Sequence, residues 1–219
     1  MKKPLLLALA LSVVASPAMA VTIIDAATPG YYNQSLGTVL DLTNPYAGTH
    51  LFPGANGSTG DPTIDPVPFA PDLSAAASAL GNWLGDPGNL NANWSGLQPI
   101  PASWAVNTET AIVYAINAGD GLTGVTANFG IDNGIFVWLD GTFLSGELRP
   151  GGAFLGEHVI SIGSLSAGTH YLQILREDHG GGTGYDVLVT GTPVPEPGTL
   201  ALVSLGLAGL ARARARRRA

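Results

Sequence analysis

The sequence contains no cysteine. That excludes disulfides, thiolate metal sites and a cysteine nucleophile, so an exported domain built from this chain must be held by its core alone. Charge is also scarce: only 11% of the 219 residues are charged, against a typical ~25%. Basic residues are nearly missing from the middle. The stretch 21–195 carries only Arg149 and Arg176 against fifteen acidic residues, a balance of −13. A surface this acidic repels phosphate backbones, which argues against a nucleic-acid partner. The same charge can attract cations or simply serve solubility. No H-E-x-x-H, G-x-S-x-G, P-loop or EF-hand pattern occurs. The four histidines are scattered. The sequence therefore predicts a protein that is not an enzyme.

Turn formers are plentiful, with 30 Gly and 16 Pro, and hydrophobic residues make up 46%. Short apolar runs between turns predict a mainly β protein.

The first residues read as a signal peptide over 1–20. Lys2 and Lys3 give a charged start, Leu5–Leu11 an apolar run, and Ala18-Met19-Ala20 a small-residue cleavage site. The apolar run is too short for a membrane span, which needs about 20 residues. The expected partners here are the secretion machinery and signal peptidase.

The last residues, 193–219, have a different plan. Pro195-Glu196-Pro197 precedes Thr199–Ala211, which carries no charge, and an arginine cluster follows at Arg212, Arg214, Arg216, Arg217 and Arg218. The positive-inside rule keeps those arginines cytoplasmic and the body on the far side of the membrane. The uncharged segment spans about 20 Å as a helix, short of the ~30 Å hydrocarbon core. Local thinning and snorkelling arginines offset the difference, so a single C-terminal transmembrane helix is expected.

This order of motif, short glycine-containing helix and arginine cluster resembles the PEP-CTERM sorting signal, a segment also called the ice-binding protein C-terminal domain. The resemblance implies recognition by an exosortase, cleavage near Pro195-Glu196-Pro197, and delivery to the cell surface of a bacterium that makes exopolysaccharide or biofilm. It does not itself imply ice binding.

Between the ends, residues 21–71 are rich in Pro, Gly, Asn and Thr. They read as a partly extended arm, with strands at Val21–Ile24 and Gly37–Leu42. The domain proper is expected over 72–192. Asp72 suits a helix N-cap, and Leu73, Ala76, Ala77, Leu80 and Leu84 recur at helical spacing, so one short helix is expected over about 72–84. Strands follow over about 110–190: Thr110–Asn117, Leu122–Ile131, Ile135–Leu139, Thr142–Ser145, Glu157–Ile162, Thr169–Glu177 and Tyr185–Thr190. Asp132-Asn133-Gly134 reads as a turn, Gly146–Gly156 as a Gly-rich loop, and Asp140-Gly141 as a type I′ hairpin. The spacing favours an antiparallel β-sandwich or jelly roll.

Asp132–Gly141 and Gly168–Ile174 resemble the central and later strands of galactose-binding-like jelly rolls. PA14-like domains carry similar runs. Many such domains bind sugars, which implies exopolysaccharide as a partner.

The candidate ligand site is the loop Arg176–Gly184, with Arg176, Glu177, Asp178 and His179, together with Asp132 and Trp138. Three readings are open. Arg176 could pair with a nearby carboxylate, the loop could hold a sugar, or Asp132, Asp140, Glu177 and Asp178 could bind calcium if their loops converge. Trp138 alternates with Val137 and Leu139, which suits core packing as well as a stacking platform.

Overall fold

The computed structural model describes residues 19–37, 64–149, 151–178, 181–195 and 198–216. The signal-peptide run up to Ala18, the strand expected beyond Gly37, His50, His179, Glu196, Pro197, Arg217 and Arg218 lie outside these residues.

Ten strands form among the described residues: β1 Val21–Ile24, β2 Pro29–Gly37, β3 Ile64–Val67, β4 Gln98–Pro99, β5 Glu109–Asn117, β6 Leu122–Leu139, β7 Thr142–Arg149, β8 His158–Leu165, β9 Thr169–Glu177 and β10 Gly184–Pro193. Every pairing is antiparallel. The described part of the segment read as an arm contributes three of the strands, β1, β2 and β3.

The pivotal element is β6, an 18-residue strand. Its first part, up to Asp132, lies between β10 and β8. Its last part, from Asn133, lies between β7 and β9. The expected turn at Asp132-Asn133-Gly134 is therefore corrected: the strand continues through it and changes neighbours there. Glycines permit the bend by letting other segments approach. A Cβ on Gly130 would run into the Ala153 carbonyl carbon, and one on Gly134 into Glu177 Oε1.

Where the sequence predicts an antiparallel β-sandwich or jelly roll, the described strands belong to a single sheet. One antiparallel sheet curls on itself into a half-barrel, because β6 belongs to both halves. The bend forms one pole. The two ends of β6 meet at the other, where Leu122 pairs with Leu165 while Leu139 pairs with Leu172, only a short turn further on.

The patterning explains what each half covers. In the first part of β6, Val125, Ala127, Phe129 and Ile131 are buried while Thr126 and Asn128 face outward. This half is apolar on one side, as an open sheet face requires. In β5 and the last part of β6 both faces are apolar. Ile112, Tyr114, Ile135 and Val137 join the core between the halves. Ala111, Val113, Phe136 and Trp138 join a second core on the opposite face.

That second face is closed by a 3-10 turn, Ser74–Ala76, and helix α1, Ala77–Leu80. Asp72 Oδ1 accepts the Ser74 N–H at 2.9 Å, which holds its carboxyl below the usual carboxylate range. The helix expected to run to Leu84 ends at Leu80, because Gly81 takes a left-handed φ of 63°. Trp83 and Trp94, just beyond it, stack at 5.7 Å, and Trp83 meets Trp138 edge-on at 5.5 Å.

Asp140-Gly141 forms the expected hairpin, with φ values of 48° and 76° and Leu139 opposite Thr142. Strands β7 and β10 run on to Arg149 and Pro193, so ladder pairing extends past the Gly and polar residues that suggested earlier ends.

Candidate functional site

The curl sorts the sequence-predicted residues into three places. Register brings Asp132, Arg176, Glu177 and Asp178 to the bend pole. Asp132 lies opposite Gly184, and Glu177 lies opposite both Gly134 and Glu109. Asp140 is six residues from Gly134 along β6, roughly 20 Å at strand rise. It sits at the opposite pole and cannot share an ion with the other three. Among the described residues no group of three or more His, Asp or Glu side chains is placed to hold a metal ion.

Arg176 is fully buried. Its Nε donates to Thr110 Oγ1 at 2.8 Å and its Nη1 to the Pro101 carbonyl at 2.9 Å. Three rings enclose the guanidinium, Trp104 at 4.1 Å, Tyr185 at 4.8 Å and Tyr32 at 5.4 Å from its carbon to their centres. The rings offer their negative faces to a cation removed from water. Burial lowers the guanidinium's pKa from its ordinary value, and it pushes the Tyr114 hydroxyl up to about 12. Arg176 thus works as a core residue rather than a surface contact.

Glu177 and Asp178 are also buried. Asp178 Oδ2 accepts the Asn107 N–H at 2.6 Å. Asp132 is half-buried beside them. Trp138 is packed in the second core, with Phe143 at 5.6 Å, and offers no face to a sugar ring.

Two further polar clusters escaped the sequence reading. Near the bend, His158 Nδ1 lies 2.9 Å from Glu147 Oε2, with both side chains buried, and Arg149 Nε lies 3.2 Å from Glu147 Oε1. At the opposite pole His170 Nδ1 lies 2.7 Å from Asp140 Oδ2. His170 Nε2 lies 3.0 Å from the Ser166 carbonyl oxygen and 3.3 Å from its Oγ. Both ring nitrogens therefore face acceptors, which suits the imidazolium. Asp140 raises the His170 pKa. A serine, a histidine and an aspartate meet here, but Nε2 is directed at a main-chain carbonyl, so it is not free to take a proton from the hydroxyl. No sequence spacing signals either cluster, since the partners come from different strands.

The tail leaves from this same pole. Strand β10 ends at Pro193, and the Val194 N–H donates to the Gly121 carbonyl at 2.9 Å. Pro195–Gly198 then leads to helix α2, Thr199–Arg216. Leu202, Leu207 and Leu210 on it are each more than 60% exposed. The expected transmembrane helix is corrected here: among the described residues no helix is long and apolar enough to cross a membrane. The reason is the early arrival of charge, with Arg212, Arg214 and Arg216 inside the helix itself.

An antiparallel β body is thus followed by a partly exposed helix whose last turn carries arginines. Residues 193–218 match the PEP-CTERM protein-sorting motif. That motif implies an exported protein, processed by an exosortase and sorted to the cell surface. The match covers the tail, and no curated protein matches the chain.

Proposed function

We propose that this protein is a non-catalytic structural or adhesive module of a bacterial cell surface or extracellular matrix, delivered by an exosortase that removes its tail. The observation that supports this reading is the division between body and tail. Among the described residues both cores end by Val189, while Leu202, Leu207 and Leu210 of α2 stay largely exposed. An exposed apolar helix serves an environment other than water, here the membrane-embedded exosortase. The most direct test is the C-terminus of the surface protein by mass spectrometry. Cleavage near Pro195 supports the reading, and an intact Ala219 on surface-located protein overturns it.

A second reading makes the body a carbohydrate-binding module, as the likeness of 132–141 and 168–174 to galactose-binding-like domains implies. It is supported by a protruding aromatic at the bend pole, Phe154, which is 76% exposed and available to stack on a sugar ring. A glycan panel, probed with and without calcium, tests it. Uniform lack of binding removes it.

A further inference from the structure

The half-sheet made by β1, β10, the first part of β6 and β8 ends in two edges. Most edge strands of this fold are blunted in familiar ways. β1 has four residues, β3 contains Pro66, and β4 has two residues including Pro99. β8 differs. It has eight residues, no proline and no lysine, and among the described residues it pairs only with β6. Its register is regular from His158 to Ser161, and a bulge near Gly163 follows.

Charge and exposure single out the same edge. In a body of −13, residues 158–165 carry no carboxylate. The nearest one, Glu157, is turned inward, with its Oε2 accepting the Ile131 N–H at 3.2 Å. His158 is buried against Glu147. Val159 is 55% exposed, and Phe154 and Leu155 just before it are exposed too. Two copies of an acidic body repel each other over most of their surface, but not here.

We propose that β8 is the docking edge for a second copy of this chain, through antiparallel β8–β8 pairing. An antiparallel strand is self-complementary under a two-fold axis, so the contact closes as a dimer. Main-chain hydrogen bonds join the edges, and Val159 with the neighbouring apolar residues is covered.

The topology adds a consequence that rests on the tail-sorting reading. β8 runs from the bend pole to the pole where the tail leaves. Antiparallel pairing therefore points the two tails in opposite directions. Two copies held by their tails at one membrane cannot pair this way, whereas released copies can. Release and assembly are coupled by geometry.

The test uses residues 21–195, which hold every residue of both cores among the described residues. Sedimentation across a wide concentration range should show the mass double. Val159→Lys should give a monomer with an unchanged melting temperature, and Val159→Thr should still pair. In this cysteine-free chain, Ser161→Cys should form a covalent dimer on mild oxidation. Full-length chain tethered through its tail to one face of a vesicle should not cross-link through Ser161→Cys within that vesicle. A monomer at every concentration, or a Val159→Lys protein that still pairs, overturns the docking edge. Open-ended filaments overturn the two-fold contact. Efficient cross-linking of tailed copies in one vesicle overturns the coupling alone, and the mature C-terminus reports separately on the sorting reading.

Discussion

The guanidinium of Arg176 lies 4.1 Å from the centre of the Trp104 ring. Trp104 also donates its Nε1–H to the Thr108 carbonyl at 2.9 Å, which helps hold the ring against the cation. One of the two cations of the body is thus spent inside the core, beside the bend.

Arg176→Lys keeps the charge but loses the planar stack and the paired donation to Thr110 and Pro101. It should lower stability by roughly 2 kcal/mol. Urea unfolding with an unchanged slope measures this. A change within error would mean that the rings contribute little.

The bend should tolerate no side chain at position 130. A Cβ on Gly130 meets main-chain atoms of Ala153 and Phe154, which cannot move aside as a flexible side chain does. Gly130→Ala should cost about 1–3 kcal/mol by overpacking, while Gly198→Ala, with nothing near its Cβ, should leave body stability unchanged. Thermal melts of the two variants make the comparison.

The Asp140–His170 contact should make stability depend on pH. The folded pKa of His170 is raised, first by the hydrogen bond to Asp140. A raised pKa means that the folded state holds the proton more tightly than the unfolded one. The contribution is therefore fully present below the unfolded histidine pKa of about 6.5, and it is lost as pH rises through the folded value. Asp140→Asn should bring the His170 titration back toward its ordinary range and flatten this dependence. A proton NMR titration of the His170 ring reads it directly, and an unmoved midpoint would remove Asp140 as the cause.

Sorting should depend on the arginines. Replacing Arg212, Arg214, Arg216, Arg217 and Arg218 with neutral residues should abolish surface delivery, since all five lie within the matched sorting motif. Cell fractionation measures the outcome, with the melting temperature of the body expected to be unchanged. Normal delivery of the neutral variant would count against the role given to the tail.

Local chemistry made much of this protein legible from its sequence. Alternation in Val125–Ile131 marked a one-sided strand, two-sided apolar runs marked a doubly covered one, and Asp140-Gly141 marked its hairpin, because each signal lies within a few adjacent residues. The tail was legible for the same reason: motif, apolar run and arginines follow one another in the chain. Tertiary structure alone decided what happens at Asp132–Gly134. A local reading gives a turn there, yet the strand continues, because the groups that hold the bend, Ala153 and Glu177, come from distant segments. The same separation hid the aromatic cage around Arg176, the Glu147–His158 pair and the Asp140–His170 contact. Their partners are brought together only when the sheet curls, and no spacing along one strand encodes that.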